Sequence, residues 1–416
     1  MKLHWQIAIA LLAAMAVGGI VGDAPWFIKL ADFIGTLFLN ALRMLIVPLI
    51  VGAMIHAIIS IGASNELGRI GWKTVLYFAT TTLGAIVLGL VIINAVQPGI
   101  VDGQPAGARL GLDASADAVL EKVQGRDGRD FVGVVLRMVP PNLVQAAADN
   151  EMLALIFFSL LFGYFAARLP RELAEVQQRF WAGLYEVMIR ITGWVMRFAP
   201  LGVFALVGKT VAQTGWSALH PLLVFFFAVL VALSIQAFIV LPLLVRLVGL
   251  DPLRHLKLSV PALLTAFSTS SSAATLPVTF GCAQRAGVSD RVSGFVLPLG
   301  ATVNMNGTAL YECAAALFIA QAYGLELSFI SQFVVVTLAL LTSVGVAGIP
   351  SASLVAIAVI LSAVGLPMEG VGLILAVDRI LDMCRTAVNV FGDLTGTVII
   401  ARLEGEIEAP ASDVTR

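Results

Sequence analysis

Five polar side chains stand in a helix-length apolar stretch near the C-terminus: Asp378, Asp382, Arg385, Asn389 and Asp393. At about 100° of rotation per residue they fall within roughly 80° of one another, with Thr386 beside them. An Asp or Arg at the centre of a bilayer costs roughly 2.5–3.5 kcal/mol on insertion scales. A stripe of this kind is tolerated when it faces a wet, polar cavity, which makes it the candidate site.

A second set suits a hard cation. The segment Gly300-Ala301-Thr302-Val303-Asn304-Met305-Asn306-Gly307-Thr308 runs on through Tyr311 to Glu312 inside an apolar span. Gly and Asn tolerate non-helical backbone, so local unwinding would free carbonyls there. With Asn and Thr oxygens these carbonyls could hold a cation, and Asp393 could supply the neutralising charge. Taken alone, the motif also fits plain polar packing between helices.

The elements that must position these groups follow from composition. Of 416 residues, 59% are hydrophobic and 12% charged, with a mean hydropathy of +0.97. A soluble protein carries about 25% charged residues, so the chain reads as an all-α polytopic membrane protein. A net charge of −1 gives no sign of nucleic-acid binding. Cys282, Cys313 and Cys384 have neither metal nor disulfide spacing, and the four histidines are scattered. The N-terminal apolar run reads as an uncleaved first membrane helix rather than a secretory signal.

Runs long enough for about 30 Å of hydrocarbon lie near residues 5–22, 32–60, 73–96, 151–168, 184–212, 220–248, 294–323 and 370–402, which predicts eight spans. Lysines and arginines after the second, fourth and sixth spans place both termini in the cytoplasm. The charged loop at 99–132 is assigned outside. Residues 259–282 carry Ser268-Thr269-Ser270-Ser271-Ser272 and then Ala274-Thr275-Leu276-Pro277. Residues 330–364 carry Thr342-Ser343-Val344-Gly345 and then Ala347-Gly348-Ile349-Pro350. Helix breakers inside apolar segments must line a cavity or be buried in protein. Both segments read as re-entrant hairpins entering from opposite sides, as an inverted repeat produces. The alternative is two kinked helices packed through Ser and Gly.

The segments STSSSAATLPVT, LPLGATVNMNGTALYE, SVGVAGIP and LDMCRTAVNVFGDLTGT resemble the signatures of the dicarboxylate/amino acid:cation symporter family. That family includes the excitatory amino acid transporters and an archaeal aspartate transporter. The likeness runs from RMLIVPL in the second span through APLGVFAL at 199–206 to the end of the chain.

The resemblance implies a homotrimer in the inner membrane, working as an elevator. Residues 1–72 (spans one and two) and 133–214 (spans four and five) would form the scaffold. Residues 73–98 (span three) and 215–402 would form the transport domain, with hairpin one at about 257–285 and hairpin two at about 328–366. A cytoplasmic tail would occupy 403–416.

It also implies roles for single residues. Arg385 would bind the substrate's side-chain carboxylate, using its guanidinium fork, or else serve as a structural ion pair with Asp382 or Asp378. Asp382 would take the α-ammonium group, and Asp378 would tune Arg385. Asn389 and Thr386 would hold the other end of the ligand, and Thr308 would contact the side-chain carboxylate. The backbones of Ser270, Ser271, Ser272, Ile349 and Pro350 would close over it. L-Glutamate or L-aspartate fits such a site.

One sodium site would use Asp393 with carbonyls near Gly300, Asn304 and Asn389. A second would use carbonyls of Thr302, Met305, Ser343, Val344 and Val346. A third would use Tyr77, Thr80, Thr81 and Asn304, but the family has an Asp where this chain has Asn306. Losing that charge weakens a cation site. Glu312 is the proton-coupling candidate, because desolvation disfavours an ionised carboxyl; its alternative is a protonated structural group. Coupling ions are therefore sodium and a proton, with no cofactor.

A C4-dicarboxylate symporter of the same fold is the nearest rival, and Asp382 argues against it, since such a substrate has no ammonium group to neutralise. An intramembrane hydrolase lacks a G-x-S-x-G pattern, and uphill accumulation would separate a symporter from a channel.

Overall fold

The computed structural model of this chain describes residues 3–63, 69–110, 136, 138–149, 151–214, 219–345, 353–367 and 370–407. Among them the only strands are Ile100–Val101 and Gln104–Pro105, an antiparallel pair in the loop after the third helix. Everything else that is regular is helical, as the apolar runs predict. Residues 111–132 of the 99–132 loop, 133–135 at the start of the 133–214 segment and 408–416 of the tail lie outside the described residues.

Helices α1 (Leu3–Val21), α2 (Pro25–Ala63) and α3 (Arg69–Val96) open the chain. After the loop come α4 (Leu143–Ala148), α5 (Met152–Ala166), α6 (Arg171–Met196) and α7 (Ala199–Thr214). Residues 184–212 are not one continuous helix. The chain bends by 52° between α6 and α7. Pro200 cannot donate to a helical ladder and is best placed in a first turn. The first helix ends at Met196, capped by Arg197, and the next starts at Ala199, with Gly202 N bonding back to Phe198 O at 3.1 Å.

The second half runs through α8 (Leu219–Ile235), a π turn at Gln236–Val240 and α9 (Leu241–Leu247). Then α10 (Pro252–Thr269) and α11 (Ser272–Arg285) pack against each other across a sharp break. Ser270 makes that break with φ of 51°, a left-handed conformation that a non-glycine residue rarely adopts. The next helix starts at once, because the Ser271 hydroxyl caps α11 by accepting from Ala274 N.

Helices α12 (Asp290–Val303) and α13 (Asn306–Ala322) meet at a second break over Asn304 and Met305, where the Gly/Asn composition predicts unwinding. The chain closes with α14 (Phe329–Gly345), α15 (Ser353–Val364) and α16 (Gly370–Leu403).

Packing divides the helices into two groups. Helix α2 gathers α5, α6 and α7, and α7 also packs on α1. Helices α3, α8 and α10 to α16 pack around α13 and α16. The groups touch where α14 and α15 rest on α2 and where α16 meets α7. Along α13 only Thr308 and Gln321 escape burial, as expected of a helix enclosed on all sides. Among the described residues, Ile70–Val96 and His220–Leu247 are each long and apolar enough to cross a membrane, and the bent pair α6–α7 qualifies as one span.

Candidate functional site

The stripe on α16 is turned inward. Arg385 is fully buried, and Asp378, Asp382, Thr386, Asn389 and Asp393 are all buried beside it. Arg385 Nη2 donates to Asp382 Oδ1 at 2.9 Å and to Asp378 Oδ1 at 3.1 Å. Its guanidinium lies 3.9 Å over the ring of Tyr311, an arrangement that stabilises a desolvated cation. Nε and Nη1 have no hydrogen-bond partner among the described residues. A buried donor left unmade costs about 1–3 kcal/mol, so these two groups call for an acceptor that the described residues do not supply.

Asp382 holds a further partner that sequence reasoning passed over. Arg379 Nη1 donates to Asp382 Oδ2 at 3.2 Å, and both side chains are about 10% exposed. Arg379 sits about 100° round the helix from Asp378, off the stripe, which is why the stripe did not include it. The signal was its i, i+3 spacing to an opposite charge in an apolar span.

Asn389 joins the stripe to the break between α12 and α13. Its Oδ1 accepts from Gly307 N at 2.8 Å and from Thr308 N at 3.4 Å. It thereby satisfies orphan amides at the start of α13, where Met305 offers no side-chain cap. Its Nδ2 donates to Thr308 Oγ1 at 3.0 Å. That leaves the Thr308 hydroxyl proton free to donate to a carboxylate. The Thr386 hydroxyl is turned back to Asp382 O at 2.8 Å.

Farther along, Asn304 Nδ2 donates to Asp393 Oδ1 at 2.8 Å and to Asn389 O at 3.2 Å, while its Oδ1 has no partner among the described residues. Asp393 lies against the α12 backbone. A Cβ on Gly300 would come within 2.6 Å of its Oδ1, so only glycine lets the carboxylate reach that far. Among the described residues Asp393 forms no ion pair and meets amides only.

The expected third cation set is only partly assembled. Thr80 is exposed, and its hydroxyl donates to Leu76 O and Tyr77 O. Thr81 is buried and bonds to its own helix at Tyr77 O. Thr82, absent from the sequence reading, is the residue that meets Asn306, donating to Oδ1 at 2.7 Å. Three successive threonines differ by about 100° each, and the buried face of α3 selects the third. Asn306 carries no charge and already accepts a hydroxyl proton. This donor set does not fit a third cation.

Glu312 is completely buried; Thr342 of α14 donates to its Oε2 at 3.0 Å, and Oε1 has no partner among the described residues. The Ser270 hydroxyl is likewise buried without a partner among them, and Ser272 opens α11. Thr302 closes on its own helix at Pro298 O, and Ser343 on Leu340 O. Val344 belongs to α14. Val346, Ile349 and Pro350 lie outside the described residues.

The profile of the sodium:dicarboxylate symporter family matches residues 3–403. The chain belongs to the sodium:dicarboxylate symporter family. It is a transporter, not an enzyme, and its helical architecture is that of a membrane protein of this family. Its curated relatives include the proton/glutamate-aspartate symporter of Escherichia coli (strain K12), 36% identical across 98% of this chain and 94% of the relative. The proton/sodium-glutamate symport protein of Bacillus caldotenax is 34% identical across 97% and 95%. The C4-dicarboxylate transport protein of Bacillus subtilis (strain 168) is 31% identical across 99% and 97%.

Proposed function

We propose that the chain is a secondary active symporter that imports L-glutamate or L-aspartate, coupled to sodium and a proton. The observation that carries this reading is the fully buried Arg385, anchored by Asp378 and Asp382 through one nitrogen while Nε and Nη1 lack partners among the described residues. A substrate carboxylate would take those donors, together with the Thr308 hydroxyl. An arriving ammonium group would pair with Asp382, loosening its hold on Nη2 and giving the guanidinium an edge for bidentate contact. The relatives whose names specify glutamate or aspartate support the same substrate class.

Asp393 supplies the charge for sodium. A carboxylate buried among neutral amides is costly unless a cation joins it. Asn304 and the carbonyls of Gly300 and Asn389 complete that set, and Thr302, Met305, Ser343, Val344 and Val346 would hold a second ion. Glu312 is the proton carrier. The Ser270–Ser272 tip presents the start of α11, whose free amides favour an anion, and Ile349 and Pro350 would close from the other hairpin.

In this reading eight spans and two re-entrant hairpins cross or enter the inner membrane, with both termini in the cytoplasm. The α2-centred group is the scaffold of a homotrimer, and the group around α13 and α16 moves as an elevator. The test is labelled aspartate uptake into proteoliposomes, with sodium and pH gradients imposed separately and succinate, glutamate and serine as competitors. Accumulation that follows the sodium gradient is expected; uptake that merely equilibrates refutes symport.

A further inference from the structure

The structure assigns a second guanidinium to the substrate site: Arg379 occupies on Asp382 the position that a substrate ammonium group would take, so the site admits dicarboxylates with or without an amino group. This rests on the substrate site proposed above and deepens it.

Both Asp382 oxygens are engaged, Oδ1 by Arg385 and Oδ2 by Arg379. Asp378, Asp382, Arg379 and Arg385 together carry no net charge, so the acid at position 382 is already neutralised before any ligand arrives. A substrate without an amine therefore leaves no bare carboxylate behind, which removes the argument that Asp382 excludes C4-dicarboxylates. A substrate with an amine can displace Arg379 from Oδ2. The released side chain is about 10% exposed, its Nε lacks a partner among the described residues, and among them it forms no ion pair besides the one to Asp382. Arg379 is thus a specificity-determining residue, setting how strongly the site requires an ammonium group.

The experiment is inhibition of labelled L-aspartate uptake into proteoliposomes by unlabelled L-aspartate and by succinate, for the native chain and for Arg379→Met. Succinate is expected to compete on the native chain. In Arg379→Met the ratio of the succinate to the L-aspartate inhibition constant should rise ten- to a hundredfold, because the site then carries a net negative charge that only a ligand bringing an ammonium group offsets. Arg379→Lys keeps the charge and should hold succinate within a few-fold of native. Native succinate that fails to compete, or a variant in which both inhibitors shift together, overturns the assignment. Should Arg379→Met not assemble, Arg379→Met/Asp382→Asn takes over the test. It removes both ends of the pair, and near-native succinate with aspartate weakened at least tenfold supports the assignment, whereas equal loss of both refutes it. A native chain that takes up no aspartate sinks the symporter reading itself; normal aspartate uptake with an unmoved succinate ratio sinks only the role of Arg379.

Discussion

Two stretches of one helix, on either side of Asn389, treat buried charge in opposite ways. Between Asp378 and Arg385 each carboxylate meets a guanidinium, and the four charges cancel. At Asp393 a carboxylate equally buried has, among the described residues, only the Asn304 side-chain amide as its hydrogen-bond partner. Removing one partner from a buried pair costs about 3–5 kcal/mol, so the first stretch works by exchange, one ionic partner replacing another. The second has no ionic partner to exchange among the described residues, which on the reading proposed above suits the gain of a cation. The same helix can thus handle a charged organic ligand and an inorganic ion a few turns apart.

The contrast is open to direct attack. Arg385→Ala should have the largest effect, lowering labelled aspartate uptake at least a hundredfold, because it strands Asp378, leaves Asp382 to Arg379 alone and removes the ligand's guanidinium; retained uptake would erase the distinction. Asp393→Asn should raise the half-saturating sodium concentration at least tenfold in uptake assays, with aspartate affinity recovered when sodium is made saturating. If aspartate affinity collapses at every sodium level, the two stretches are one site.

Glu312→Gln sharpens the comparison with a third buried carboxyl. It should abolish the pH dependence of net uptake while leaving exchange of internal for external aspartate within a few-fold of native, measured on the same vesicles. Thr82→Val is the smallest change, breaking the bond to Asn306. About 1 kcal/mol of stability should be lost, seen as a lower melting temperature, with sodium dependence unchanged. A shift in sodium dependence there would mean that Asn306 does contact an ion.

Much of this was legible in the sequence, for a definite reason. Charge inside an apolar run is expensive, so the α16 stripe announces itself, and Gly with Asn in a span marks the break at Asn304. Ser270 and its neighbours give the tip of the α10–α11 pair in the same way.

What stayed hidden depends on tertiary contact. Asn389 caps a helix whose first residue, Asn306, lies 83 residues earlier in the chain, and no local pattern carries that. The choice of Thr82 over Thr80 rests on which face of α3 meets α13. Arg379 lies beside the stripe rather than on it. The bend before α7 was readable from Pro200, but the apolar run across it masked the signal.

The start of α13 is fixed by Asn389, a residue of another helix, with no help from its own flanking side chains. If α16 slid by one turn, about 5.4 Å, against α13, two backbone amides would lose their acceptor, and the close approach of Gly307 to the Arg385 backbone, which a Cβ would forbid, would end. Shear between these two segments is therefore opposed by a single carboxamide. On the reading proposed above, the displacement that ferries a solute would carry both as one piece, with the give elsewhere in the molecule.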